Sequence, residues 1–555
     1  MKFIFFKTFK LIDKIPFFNP FFLQGGRRIM RNGIWTKGLV VGIIDLFLMT
    51  SIIPNISGMN TSPTYQDNDS IPYTSVLDIE YIYNITRALS YIIFTEYNES
   101  AGEIAKGRSF GTKGEHKAAE ILYENMTKLG LDTTKERINN TPKDPELIQA
   151  YDVLDYQLIL NNKSNNYREI VDCCINAIKL EPPLVHEKII NFTYEGLKIK
   201  QWPKTILGWI NALAYDKKGE AYVFISDIEG GLSRNPNPSL PLGLKLMREF
   251  FYPIRIIPSI GITYIRRDLE QSFLDTFFHN CKGKIVYDFT NDTHDTVCNS
   301  AGKKPPSIFI NGTLCNRIMN DIDNYTIDFN ISEMYNKSVV SYNVIGTLNG
   351  TDPSKTVLVD CLYDSVWCQG TGDAAIGMGI VMGIAKYFTD YHIVPNYTIK
   401  FIGFGGEEAG CIGAKYYEAT HKDENIIYVI DMNQVCSSQD YPRLTLNLIF
   451  NNFRFMNEIW PVVERTNYTE RVGNTNITKR WWPEGAPSND DIFAIKRLFT
   501  VKTVCFVEDF PWLMHHRDGL NHTVGDVFDN IDWNEVNVTG ELVLNITTHL
   551  TANHV

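Results

Sequence analysis

Residues 356–377 read TVLVDCLYDSVWCQGTGDAAIG. The stretch opens on an apolar run, Thr356 to Asp360, short enough for a buried strand. It passes through a polar, Gly-containing loop. It then enters Ala374 to Phe388, whose length and apolar content predict a helix. The same alternation continues outward. Strand Tyr397 to Gly403 precedes helix Glu408 to Glu418, and strand Ile426 to Ile430 follows. A further strand, Thr503 to Val507, precedes a terminal helix, Trp533 to Leu550. Near-continuous apolar strands alternating with helices predict an α/β fold, a three-layer sandwich with a mainly parallel central sheet.

In such a sheet, ligands bind beyond the carboxyl ends of the strands. Acidic residues recur at those ends. Asp364 follows the first strand and Asp373 opens the next helix. Glu407 and Glu408 follow Gly405-Gly406, and Asp431 follows Ile430. His522 precedes the terminal helix in Asn521-His522-Thr523-Val524-Gly525-Asp526. Any one of these acids is explained as a helix cap or a solvated loop residue. Gathered on one rim they repel one another and call for a cation, and Asp/Glu with His is a zinc ligand set. Adjacent Glu407 and Glu408 point in different directions. One can hold metal while the other holds a water, giving a metal-activated nucleophile and a general base.

These pieces resemble the co-catalytic zinc aminopeptidases of metallopeptidase family 28, whose relatives include glutaminyl cyclases and cell-surface carboxypeptidases. The resemblance rests on Tyr363-Asp364-Ser365, Asp373-x-x-x-Gly377, Gly406-Glu407-Glu408-x-Gly410, Asp431-Met432, and His522-Thr523-x-x-Asp526 followed by Asp529-Asn530-Ile531-Asp532. It covers residues 75–145 and 341–555. It implies that Asp373 bridges two zinc ions, that Glu408 and His522 complete one site, and that Asp431 belongs to the other. It further implies Glu407 as general base and Asp364 as the acid that orients a His ligand. Residues 146–340, with short strand-like runs at Tyr156 to Leu160, Ala221 to Ile225, Ile260 to Ile265 and Gly283 to Tyr287, read as an inserted β-rich domain. The insert resembles a protease-associated domain, with Pro306 to Ile310 as a late strand.

One position departs from the family. Where a His-x-Asp-Ser motif is expected, the chain reads Leu362-Tyr363-Asp364-Ser365, and Leu362 cannot bind metal. Three readings follow. A single zinc is held by Asp373, Glu408 and His522, the set that glutaminyl cyclases resemble. Alternatively Cys361 replaces the missing ligand, although neighbours on a strand face opposite ways. Or the chain is a non-catalytic surface domain that recognises a partner. His515, His516, Ser488 and Asp490 are candidates for the substrate pocket. Cys361 and Cys368 are near enough in sequence to form a disulfide outside the cell. Cys411, Cys436 and Cys505 read as small buried apolar residues.

The 555-residue chain is 44% hydrophobic and 21% charged, which excludes a disordered, collagenous or polytopic membrane protein. A net charge of -11 excludes nucleic acid as the main partner, because phosphate binding needs a basic face. The family resemblance implies peptide or protein N-termini as the substrates. Residues 1–58 carry a basic stretch, Arg27, Arg28, Arg31 and Lys37, ahead of the apolar run Gly38 to Pro54. That order is the pattern of a secretory signal or single membrane anchor, with Met30 as a conventional start. Residues 59–75 read as a polar linker. Sequons at Asn55, Asn84, Asn191, Asn311, Asn396 and Asn537 agree with an extracellular or cell-surface location.

Overall fold

The computed structural model describes residues 76–92, 95–98, 102–105, 107–141, 150–171, 173–175, 188–203, 206–226, 278–287, 306–310, 312–336, 339–366, 368–436, 445–473, 475–481, 488–497, 500–508 and 526–552. The expected N-terminal signal or anchor, the linker, the strand Ile260 to Ile265, and His515, His516 and His522 lie outside these residues. Among the described residues no helix is long and apolar enough to cross a membrane.

The chain enters through helix α1 (Ile79–Ser90), capped by the Asp78 side chain, which accepts from Tyr81 N at 2.9 Å. A short hairpin follows (β1, Thr95–Asn98; β2, Gly102–Ala105). Helix α2 (Lys113–Lys128) is fixed at its start from both sides. Thr112 Oγ1 accepts from Glu115 N, and the Glu115 carboxylate accepts from Gly111 N at 2.6 Å. Its buried Ala118, Ala119, Leu122 and Met126 have the spacing of one helical face. Strand β3 (Asp132–Arg137) is the last element before the insert.

The insert is a second eight-stranded sheet. Its strands are β4 (Ala150–Asn162), β5 (Tyr167–Val171), β6 (Cys174–Ile175), β7 (Lys188–Gln201), β8 (Tyr222–Ser226), β9 (Cys281–Tyr287), β10 (Ser307–Ile310) and β11 (Tyr325–Asn336). Their order is β5-β4-β11-β7-β8-β9-β10-β6. Two helices, α3 (Ile206–Asp216) and α4 (Gly312–Asn320), belong to it. Leu314 and Ile318 of α4 join Leu158, Leu160, Ile285 and Phe329 in one core. Trp202, Tyr222, Phe224 and Phe278 form a separate aromatic cluster. The insert is thus β-rich, as expected, with a parallel segment running from β7 to β10.

The chain returns through β12 (Tyr342–Leu348), antiparallel to β3, with Tyr342 opposite Arg137. Then come β13 (Asp352–Leu362), α5 (Ile376–Asp390), β14 (Tyr397–Phe404), α6 (Ile412–Thr420) and β15 (Ile426–Met432). They are followed by β16 (Thr445–Phe450), α7 (Phe453–Arg465), α8 (Tyr468–Val472), β17 (Asn476–Trp481), α9 (Asn489–Lys496), β18 (Lys502–Glu508) and α10 (Trp533–Thr551). The main sheet has the order β17-β16-β18-β15-β13-β14-β12-β3. Its four middle strands, β18, β15, β13 and β14, run parallel. Helices α1, α2, α5, α7 and α10 cover one face, and α6 and α9 cover the other. Residues 356–362 of β13 are buried without a break, as a strand covered on both faces requires.

Two helix starts differ from expectation. Helix α5 begins at Ile376 rather than Ala374, because Gly372 N and Asp373 N donate to the Asp526 carboxylate at 2.6 and 3.1 Å. Those two bonds hold residues 371–375 in a separate turn. Helix α6 begins at Ile412 rather than Glu408. Gly410 N and Cys411 N both donate to Glu407 O, and Cys411 takes a left-handed φ of 55°. Cys361 and Cys368 are free buried thiols, so the suggested disulfide is not formed. Of the sequons, Asn84 and Asn191 are exposed. Asn537 is half-buried within α10 with its Oδ1 cut off from solvent, which does not suit a glycosylation acceptor.

Candidate metal centre and acidic rim

The carboxyl ends of β13 and β14 are tied together by one acid. Asp364, fully buried, accepts from Glu407 N at 3.0 Å and Glu408 N at 3.2 Å. These two bonds hold the turn after β14 and with it both glutamates. Gly413 allows the turn its tightness, since a Cβ there would lie 2.5 Å from Gly405 O. Burial and the charge of Glu408 push the Asp364 carboxyl up to about 7, against the pull of the two N–H groups. Below the turn, Glu115 is buried and accepts from Ser341 Oγ at 2.6 Å. Burial first, and Asp364 second, hold its carboxyl well above the usual range.

Arg108 is the hub of this rim. It is fully buried, and its guanidinium donates to four backbone carbonyls. These are Tyr363 O at 2.8 Å, Leu89 O at 3.1 Å, Gln369 O at 2.5 Å and Gly370 O at 2.8 Å. Burial draws its pKa down, while Cys368, Asp526, Asp364 and Asp373 act in the opposite direction. One side chain therefore joins α1, the loop after β13 and the turn carrying Asp373. Sequence reasoning did not single out Arg108. The available signal was an arginine beside glycines in a chain whose rim is otherwise acidic.

Asp526 caps the Asp373 turn through the two N–H groups already described. Burial raises its carboxyl to about 7, with Asp373 adding to the rise. Glu408 is 9% exposed, whereas Glu407 is half-buried and reaches solvent. Glu407 Oε1 accepts from Asn433 Nδ2 at 3.4 Å, and Asn433 Nδ2 also donates to Ser488 Oγ at 2.9 Å. Ser488 lies beside the Asp431 carboxylate and opposes the rise that burial gives its pKa. Sequence reasoning named Ser488 but missed Asn433, which links it to Glu407.

The structure therefore brings Asp364, Asp373, Glu407 and Glu408 around Arg108 and Asp526. It turns Asp431 toward the α9 face of the sheet. There its Oδ2 accepts from Asp490 N at 3.3 Å and Cys505 Sγ at 3.5 Å. Asp490 and Ser488 thus meet at Asp431. Leu362 is buried within the apolar core and offers no donor. Cys361 faces α5, with its Sγ 3.5 Å from Ala374 O. Burial first, then Asp431, Asp360 and Asp373, keep it a thiol. Buried carboxylate oxygens converging on one rim with a single guanidinium are a donor set that fits a divalent cation such as zinc. Asp373 and Glu408 are the described residues that would hold it.

Residues 343–547 match peptidase family M28. A probable zinc metalloprotease of Pyrenophora teres f. teres is 32% identical over 108 residues, covering 17% of this chain and 23% of that protein. A counterpart from Pyrenophora tritici-repentis is 31% identical over 108 residues, 17% of this chain and 24% of that protein. The chain thus spans about a quarter of the length of the curated relatives it matches. Three solved structures share its fold. A peptidase M28 precursor from Shewanella amazonensis has a TM-score of 0.55 and 15% identity, covering 86% of this chain and 95% of that one. A zinc aminopeptidase from Bacillus subtilis has a TM-score of 0.51 and 16% identity, covering 86% and 96%. The aminopeptidase of Aneurinibacillus sp. strain AM-1 has a TM-score of 0.51 and 14% identity, covering 85% and 94%. Shares that large take in the inserted sheet as well as the main one. Residues 343–547 are therefore similar to peptidase family M28, and the chain shares the fold of these solved structures.

Proposed function

We propose that the protein is a zinc-dependent exopeptidase of the aminopeptidase type, acting on peptide or protein N-termini at or outside the cell surface. The observation that carries this reading is the split between Glu407 and Glu408. One backbone anchor, Asp364, holds both, yet Glu408 is buried and Glu407 reaches solvent. Asp373 and Glu408, with His522 from the segment before α10, would hold the ion. Because Leu362 lies in the apolar core, the set suits one ion at this position. Bound zinc lowers the pKa of a coordinated water and polarises a carbonyl. Glu407 takes the proton of the attacking water and delivers it to the leaving amine. Asn433 steadies the Glu407 carboxylate during that transfer. The basic-apolar segment at residues 27–54 supports export, and the inserted sheet serves as a protease-associated-like module beside the catalytic domain.

The test is Glu407→Gln, which keeps shape and removes the base. Hydrolysis of aminoacyl substrates should fall by roughly 10²–10⁴-fold with zinc content unchanged. Unchanged hydrolysis would remove Glu407 from the mechanism. Ammonia release from a Gln-initiated peptide without shortening of the chain would replace the peptidase reading with an acyl transfer.

A further inference from the structure

The inserted sheet lies in the chain between Ile138 and Ser341, and both ends of that junction rest against the turn that carries Glu407 and Glu408. The turn is a closed loop. Gly413 N donates to Gly405 O and Ile412 N to Gly406 O, each at 2.9 Å. Asp364 holds its tip through the two N–H groups of Glu407 and Glu408. Its stem, by contrast, is held from β3 and from the start of β12.

Asn343 stands opposite Glu136 across the β12–β3 pair, so the two side chains share one face of the sheet. That is the α6 face, since Ile345, two residues along β12, packs with Ala414 and Tyr417 of α6. Asn343 is fully buried. Its Nδ2 donates to Gly413 O and to Glu136 Oε2, both at 3.1 Å. One amide therefore joins the strand before the insert to the stem of the turn. Ser341 reaches the stem at Gly405. Its Oγ donates to Glu115 Oε1 at 2.6 Å. A Cβ at Gly405 would lie 2.6 Å from that Oγ, 2.7 Å from Tyr342 O and 2.9 Å from Glu115 Oε1. Tyr342 O also accepts from Tyr363 Oη at 2.6 Å, beside Asp364 in the chain. Apolar packing follows the same path. Ile138 shares a cluster with Phe110 and Ile412, and Val339 and Ala409 pack against it.

We propose that this junction is the seat of the catalytic turn, with Asn343 and Ser341 as positioning residues that set where Glu407 stands on the rim. The proposal rests on Glu407 as the base. Both residues act through the backbone of the turn: Asn343 on Gly413 O, and Ser341, with Glu115, against Gly405. A shift between β3 and β12, the two strands that the insert joins, is passed to Glu407 through these contacts.

The experiment uses the purified full chain and two readouts, hydrogen exchange and steady-state kinetics. Asn343→Leu keeps the size of the side chain and removes both bonds. Amides of residues 405–413 should then exchange about tenfold faster, with those of α5 and α10 unchanged. The kcat on an aminoacyl substrate should fall by about 10–100-fold, with KM within about twofold. Ser341→Ala should give a smaller fall of the same kind, and it disturbs packing least. Glu136→Gln keeps an acceptor oxygen for Asn343 and should keep the wild-type kcat. In a Glu407→Gln background, Asn343→Leu should lower the residual rate no further, because the base it positions is gone. A residue that only stabilises the fold would lower the rate equally in both backgrounds, and that result overturns the proposal. Unchanged exchange at 405–413 in Asn343→Leu overturns it whatever the activity. Unchanged kcat in both Asn343→Leu and Ser341→Ala does so as well. Should Glu407→Gln itself leave hydrolysis unchanged, the base reading fails alone, and exchange at 405–413 still decides whether Asn343 seats the turn.

Discussion

Replacing Arg108 with lysine keeps the positive charge and removes the planar fork. The guanidinium serves four carbonyls in three segments: Leu89 at the end of α1, Tyr363 after β13, and Gln369 and Gly370 before the Asp373 turn. A lysine ammonium has three N–H groups on one atom and cannot span these segments. At least two buried carbonyls lose their donor, at about 1–3 kcal/mol each. The expected loss is about 2–5 kcal/mol of unfolding free energy, read as a lower urea midpoint at constant slope. Because the charge is retained, the loss reports geometry rather than electrostatics. The Asp373 turn loses an anchor, so zinc affinity should fall in the same variant. An Arg108→Lys protein that unfolds within about 0.5 kcal/mol of wild type would show that the guanidinium is not the joint described here.

Two further outcomes follow from packing and burial. In Gly413→Ala the new Cβ would meet Gly405 O at 2.5 Å and press against Asn343 Oδ1, so the turn holding Glu407 must shift. A loss of about 1–3 kcal/mol is expected in urea unfolding, together with a drop in peptidase kcat. Glu535 is buried beside Glu508 and accepts from Tyr468 Oη at 2.7 Å. Burial and Glu508 raise its pKa to about 10 from 4.5, so the folded state holds a proton that the unfolded chain releases. Stability should therefore fall as pH rises from about 4.5 toward 10. At pH 7 the cost is set by the 2.5-unit gap to the unfolded value, about 3 kcal/mol at most. Glu535→Gln should flatten that slope and stabilise the protein at pH 8. A variant as pH-dependent as wild type in urea titrations from pH 5 to 8 would refute this.

The parallel core was legible because each middle strand is a largely apolar run with an acid at or just beyond its end, and burial on both faces demands that pattern. Strand β16 was not read. Thr445 to Phe450 is equally apolar, but it pairs antiparallel with β18 outside the simple strand–helix alternation. The late start of α6 was hidden because Glu408 and Ala409 are ordinary helix formers. The turn is imposed by Asp364, more than forty residues away, gripping two backbone N–H groups. Of the site, Asp364, Asp373, Glu407 and Glu408 were recoverable from position at strand ends. Arg108 was not, since its partners are backbone carbonyls that no side-chain pattern reveals. Asp360 and Cys505 were read as the end of a strand and as a small apolar residue. Only the register of β13, β15 and β18 shows that they share a level with Asp431.

Strands β3 and β12 meet with Arg137 opposite Tyr342, and Ile138 N donates to Ser341 O at 3.0 Å. Topologically, everything from 138 to 341 occupies the place of a hairpin loop. Growing a flexible loop costs only about 0.6 kcal/mol per doubling of length, so even a long insertion there adds a few kcal/mol, and a folded insertion adds less. The two ends of the module are one hydrogen bond apart. It is therefore a removable cassette: cutting it out between Ile138 and Ser341, with both kept, would leave the register of β3 and β12 and the Ser341–Glu115 bond in place.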